Sequence, residues 1–166
     1  MADVTELVRY WNAMSREDTF IAKAGERATV KLQAASLRKK RAEQAEGLRF
    51  TVIALEGGRI VGHTSLCRAR IHHRSMHRGE FGIGVEKGYR GEGIGTAMMR
   101  ELEKKAKQWG LRLFVIGLFA ENRTARKMYE KFGFKECGRI PGGLSRKGKY
   151  SDEVMMFKRL GRGRSA

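Results

Sequence analysis

Apolar residues recur along the chain with two periods, and the changes between them predict its elements. Val4, Leu7, Val8 and Trp11 fall on one stripe at helical spacing, so residues 3–14 predict a first helix. The polar stretch Ser15–Phe20 interrupts it. A longer, highly charged helix is expected over residues 26–46, stopping at Gly47. The period then shortens. "LRFTVIAL" and "RIVGHTSLCRARI" read as two strands joined by Glu56-Gly57-Gly58, a hairpin signal. Glu80–Glu86 is a third strand, and its two glycines fit a bulge or a close backbone neighbour.

From Gly93 the pattern turns helical again, with Ile94, Met98, Leu102, Ala106 and Trp109 on one face and Gly110 as the stop. "LRLFVIGLF" is a buried strand. Asn122 opens another helix, with Ala125, Met128, Tyr129 and Phe132 near helical spacing, ended by Gly133. "FKECGRI" and "DEVMMFKRL" are the last two strands, separated by "PGGLSRKGKYS". Helices, three strands, helix, strand, helix and two strands make a mixed α/β sheet. One domain over residues 1–160 is expected, with a basic, disordered tail over 161–166.

Composition changes this picture little and charge changes it more. The chain is 41% hydrophobic and 32% charged, ordinary for a globular protein. Its 35 Lys and Arg against 18 Asp and Glu give a net charge of +17. Such a field draws polyanions: nucleic acid, ribosomes, acidic lipid or a phosphorylated cofactor. It does not choose among them, and a solvated surface is the simpler reading, also for the Arg38–Arg41 cluster. A nucleic-acid- or ribosome-binding module without catalysis is therefore the alternative class. Cys67 and Cys137 are too few for a disulfide framework or a four-cysteine zinc site. The first residues lack a signal-peptide core, and the longest apolar run, Leu113–Ala120, is far short of a membrane span. A reduced, cytoplasmic protein with no membrane partner is expected.

The candidate chemistry lies in "VEKGYRGEGIGTAMMRELEKKAK". A strand leads through a glycine-rich turn into a helix N-terminus, an arrangement that aims backbone N–H groups and the positive helix end at one spot and suits phosphate. No Gly-Lys-Ser/Thr follows, which excludes a P-loop, and no later ribose-binding acid supports a dinucleotide fingerprint. "RGEGIG", Arg90–Gly95, resembles the acyl-CoA loop of the GNAT N-acetyltransferase superfamily, Arg/Gln-x-x-Gly-x-Gly/Ala. Downstream, "ENRTARKMYEKFGF" is similar to that family's second signature at Asn122, Ala125, Tyr129, Gly133 and Phe134. The resemblance covers roughly residues 48–160.

That resemblance implies a GNAT-like mixed, mostly antiparallel sheet of six to seven strands, splayed at a cofactor cleft and flanked by four helices. It implies acetyl-CoA as acyl donor, no metal, and a primary amine as acceptor, either a small molecule or a protein amino group. Ile83, Gly84 and Val85 would lend backbone groups to the pantetheine arm. The N–H groups of Arg90, Gly91, Glu92, Gly93, Ile94, Gly95 and Thr96 would hold the pyrophosphate, with the Arg90 side chain adding charge. Asn122, with Ala125 behind it in the same motif, would meet the pantetheine. Tyr129 would be the general acid for the departing thiolate, and a backbone N–H near Val85 would meet the oxyanion. Glu80 is the candidate base, and a rim carboxylate is its plain alternative.

The family's acceptor regions correspond here to Ser15–Phe20, His72–Gly79 and Gly142–Asp152, which makes Glu17, Asp18 and Asp152 candidate amine holders beside the reading as surface carboxylates. "GKYSDEVMM" is similar to the ends of spermidine and ribosomal-protein N-acetyltransferases. A homodimer stays open. The chain departs from the family in having no clear first strand before its first helix. His72, His73 and His77 suggest an exposed turn more than a metal site, and Cys137 a strand residue more than a nucleophile.

Overall fold

The computed structural model describes residues 4–17, 20, 27–69, 73–146 and 148–161. In chain order the elements are α1 (Val4–Arg16), α2 (Val30–Ala45), β1 (Arg49–Glu56), β2 (Arg59–Arg68), β3 (Arg78–Val85), α3 (Ile94–Gln108), β4 (Leu113–Phe119), α4 (Arg123–Lys131), β5 (Lys135–Arg146) and β6 (Lys149–Arg159). Short 3-10 turns lie at His73–Ser75 and Lys87–Tyr89. The strands hydrogen-bond in the order β1-β2-β3-β4-β6-β5. The β1/β2, β4/β6 and β5/β6 pairs are antiparallel and β3/β4 is parallel, the mixed sheet that the patterning predicts. The parallel ladder holds Arg78, Gly79 and Glu80 opposite Leu113, Phe114 and Val115, then ends, although each strand continues.

The chain divides into two compact units, residues 1–67 with 82–105 and residues 68–81 with 106–166. In the first unit, Leu7, Tyr10 and Met14 of α1 bury against Ile60 of β2, with Trp11, Leu37 and Ile53 packed on them. Full burial of such side chains contributes about 1.5–3 kcal/mol each. The amphipathic face of α1 therefore carries much of this core, and Met98, Met99 and Leu102 of α3 are also buried.

Helix α2 starts later than its charge pattern suggests. Thr29 takes the N-cap, its hydroxyl accepting the Leu32 N–H at 3.3 Å, and Asn12 holds both backbone groups of Ala28. Residues 27–29 are thus fixed outside the helix, and residue 26 lies outside the described residues. Nothing on α2 is fully buried, and Arg38, Lys39 and Arg41 are exposed.

In the second unit, Leu111, Phe114, Val154 and Met156 are buried. Two expected boundaries move. Helix α3 ends at Gln108, so Trp109 leaves the helix face and stacks under the Arg68 guanidinium, 5.2 Å from the ring centroid. Most of "PGGLSRKGKYS" belongs to the last strands: Pro141–Arg146 lie in β5 and Lys149–Ser151 in β6, its hairpin partner. Proline is tolerated because β5 is an edge strand, where a missing N–H costs no ladder bond. Residues 141–143 bulge opposite one residue, Asp152, whose carboxylate accepts the Gly142 N–H at 3.1 Å. Strand β2 ends at Arg68; the rest of its expected run, Arg70–Ile71, lies outside the described residues, as do His72 and 162–166 of the expected tail.

Candidate active site

The expected site residues form two groups, one in each unit. In the first, the turn after β3 is shaped by Gly91 and Gly93, with φ of +88° and +81°. These are left-handed values that other residues adopt only at a cost. A Cβ on either glycine would enter open space, so no side chain stands against the loop beside the start of α3. The first turn of that helix has N–H groups without intrahelical acceptors, and the carbonyl of Gly93 takes the first helical bond, from Ala97 at 2.9 Å. The residues present therefore fit a diphosphate.

Arg90 behaves differently from the sequence expectation. Its N–H bonds the Lys87 carbonyl at 3.3 Å and so is not free for a ligand. Its side chain is also engaged, Nε donating to the Val85 carbonyl at 2.8 Å while Nη2 pairs with Glu17. Glu17 additionally accepts the Lys87 N–H at 3.0 Å, so its carboxylate is not free to hold an amine. Asp18 lies outside the described residues.

Strand β3 owes Gly84 to packing. A Cβ at Gly84 would lie 2.7 Å from the Tyr10 hydroxyl, which donates to the Gly84 carbonyl at 3.0 Å. Thr64 donates to the Gly82 carbonyl at 2.8 Å. The N–H of Glu86 bonds the Val61 carbonyl at 2.9 Å and so is not free for a ligand. Glu86 itself is buried. Burial would raise its carboxyl, but hydrogen bonds from Arg59 at 2.7 Å and Arg9 at 3.1 Å outweigh that and hold it below the ordinary carboxylate value. This anchor at the exit of β3 escapes the sequence, because only folding brings Arg9 and Arg59 to it.

In the second unit the Asn122-to-Phe134 motif is a helix with both ends capped. Asn122 is the N-cap of α4, its Oδ1 accepting the Ala125 N–H at 3.2 Å, which leaves the Nδ2 donors outside the cap. At the other end Gly133 N–H reaches Glu130 and Phe134 N–H reaches Tyr129, a Schellman closure with φ of +83° at Gly133. The closure returns Phe134 onto Tyr129, ring centroids 5.4 Å apart. Phe81 of β3 meets both rings, at 5.9 Å and 5.8 Å, and Phe114 at 5.1 Å. Tyr129 is 4% exposed, and burial pushes its phenol above the ordinary value, so it keeps its proton at neutral pH.

Glu80 is the third residue of β3 and not its opening, paired with Val115 and 3.5 Å from Arg78. It is exposed, beside the Phe81 that touches Tyr129. His77 lies in an exposed turn, and among the described residues no three His, Cys, Asp or Glu side chains group to hold a metal. Cys137 is a bulge residue of β5, its thiol 3.5 Å from the Met155 carbonyl. No described helix is long and apolar enough to cross a membrane.

Residues 9–134 match the model of the acetyltransferase (GNAT) family. The L-amino acid N-acetyltransferase AaaT of Escherichia coli (strain K12) is 32% identical over 114 residues, 68% of each chain. Among solved structures, an acetyltransferase of GNAT family from Streptococcus pneumoniae is similar at a TM-score of 0.83 and 26% identity, over 96% of this chain and 94% of that one. A GNAT superfamily phosphinothricin acetyltransferase from Sinorhizobium meliloti, in complex with acetyl-CoA, aligns at a TM-score of 0.83 and 19% identity, covering 99% and 87%. With both signatures standing at helix ends, and a family match over most of its length, the chain belongs to the GNAT acetyltransferase family and is an N-acetyltransferase that takes its acetyl group from acetyl-CoA.

Proposed function

We propose that the acceptor is the α-amino group of an amino acid or a similarly small primary amine, and that Tyr129 and Glu80 handle the two protons of the transfer. The observation that carries the donor side is the open Gly91–Gly93 loop leading into the bare N–H groups of α3. Gly91 to Thr96 hold the diphosphate of the donor, Ile83 to Val85 present strand backbone to its arm, and the Nδ2 of Asn122 adds a donor the helix cap does not use. Acetyl-CoA supplies the activated acyl group when bound.

Tyr129 keeps a proton at its phenol oxygen where sulfur leaves as thiolate. With the phenol raised above its usual value and an ordinary thiol near about 8.5, full transfer is uphill. Tyr129 therefore acts first through a hydrogen bond to the developing charge, and the proton it passes to sulfur is restored to the phenol from solvent. Glu80, solvent-facing and beside Phe81, takes the proton of the incoming amine through water. Support for a small acceptor comes from the L-amino acid N-acetyltransferase that resembles this chain. The +17 charge disfavours approach of polycations.

The test is thiol release from acetyl-CoA measured across amino acids, polyamines, aminoglycosides and basic peptides. Amino acids should lead the screen; preference for a basic peptide would overturn the acceptor reading. Tyr129→Phe should lower kcat by about 10²–10³-fold while leaving the KM for acetyl-CoA nearly unchanged. Unchanged kcat would remove Tyr129 from the mechanism.

A further inference from the structure

Helix α1 touches the exit of β3 at three successive places. Arg9, Tyr10 and Glu17 stand at i, i+1 and i+8, on one side of the helix, and Glu17 prolongs it through an N–H bond to the Ala13 carbonyl at 3.1 Å. Arg9 grips both oxygens of Glu86 at 3.1 Å, and Tyr10 holds the Gly84 carbonyl. Glu17 reaches furthest. One of its oxygens accepts the Lys87 N–H and the other pairs with Arg90, whose Nε holds the Val85 carbonyl.

The Lys87–Tyr89 turn has no side-chain cap of its own, since Glu86 at its N-cap position faces Arg9 and Arg59. Glu17 supplies that cap from 70 residues away in the chain. An exposed ion pair would contribute little, but the Glu17 side chain is only 15% exposed and also satisfies a backbone donor.

We propose that Glu17 is a positioning residue of the donor site, fixing the turn that leads into the Gly91–Thr96 cradle; this rests on the function proposed above. Two effects of removing it have opposite signs. Deleting a carboxylate near a diphosphate site should tighten binding by electrostatics alone. Releasing the turn should weaken it, because the cradle N–H groups lose their common aim. Positioning wins if the geometry is what matters, and Arg90 then acts through the loop and not as a phosphate ligand.

The experiment uses the full chain, with coenzyme A binding measured by calorimetry for wild type, Glu17→Ala, Glu17→Gln, Arg90→Ala and the double alanine variant. Glu17→Ala and Arg90→Ala should each weaken binding about tenfold, and the double variant no more than either. Glu17→Gln, whose amide oxygen still accepts the Lys87 N–H, should fall between. The kcat at saturating acetyl-CoA should stay within about twofold, the loss residing in KM. In ligand-free Glu17→Ala, amide exchange over residues 86–96 should quicken while that of β1 does not change. Tighter or unchanged binding by Glu17→Ala, multiplying effects in the double variant, or unaltered exchange overturns the proposal. Wild-type protein that does not bind coenzyme A overturns the donor-site reading itself; binding by wild type with Glu17→Ala unaffected overturns this proposal alone.

Discussion

Gly84→Ala places a methyl group 2.7 Å from the Tyr10 hydroxyl and 3.1 Å from Met14 Cε. The Tyr10 ring cannot retreat easily, because it is rigid and 0% exposed in the packed face of α1. Overpacking of this kind costs about 1–3 kcal/mol. Taking about 2 kcal/mol, a chain of 166 residues should lose roughly 4–8 °C in Tm. Tyr10→Phe removes the offending oxygen and one hydrogen bond to the Gly84 carbonyl, at a cost of about 1 kcal/mol. In the double variant the remaining close neighbour is the flexible end of Met14. The double should therefore be more stable than the sum of the singles by at least about 1 kcal/mol. Urea unfolding of the four proteins measures this coupling. Gly84→Ala within about 0.5 kcal/mol of wild type, or additive effects, would refute the idea that this glycine exists for the approach of α1.

His63 is 7% exposed between Tyr10 and Trp11, and burial, helped by Lys40 and Arg49, pushes its pKa down to about 3. The unfolded chain binds a proton below the ordinary histidine value while the folded one does not, so stability should fall by about 1.4 kcal/mol per pH unit from near pH 6 to 4. His63→Phe should flatten that slope in pH-dependent urea melts. The lowered carboxyls of Glu6 and Glu86 contribute stability that is present above their unfolded value and lost as pH falls through the folded ones; a second decline below about pH 4.5 should survive that variant. Gly93→Ala forces a side chain into φ of +81°, which costs about 1–2 kcal/mol, and it should weaken acetyl-CoA binding more than it lowers Tm. Asn122→Ala should lose about 0.5–2 kcal/mol of stability with the cap, whereas Asn122→Asp should keep the cap and raise the KM for acetyl-CoA, a split that calorimetry and initial rates resolve.

Local rules made the two signatures legible. Glycines before a helix, and an asparagine followed by a tyrosine and a Gly-Phe, are short-range patterns, and each fixed position does a short-range job. Asn122 caps the helix start, Gly133 closes its end, and Phe134 folds back onto Tyr129. The amphipathic stripe of α1 was readable for the same reason. What escaped depends on pairs distant in sequence. Glu17 looked like a loop carboxylate because Lys87 and Arg90 are 70 and 73 residues away. The stretch from Pro141 to Ser151 read as a loop because proline and glycines dominate it, and only the edge position of β5 makes them compatible with a strand. Glu80 sits mid-strand because the ladder with β4 extends β3 backwards to Arg78, a partnership no local pattern signals.

That outer strand has a consequence for how the protein behaves in company. An unpaired strand edge invites a strand from another chain to zip onto it, the first step of many aggregates. Here the invitation is withdrawn where it would be strongest. Pro141 offers no N–H, and the bulge at 141–143 breaks the straight row of donors. Over 141–143, then, this edge is a poor template for a strand from a second molecule.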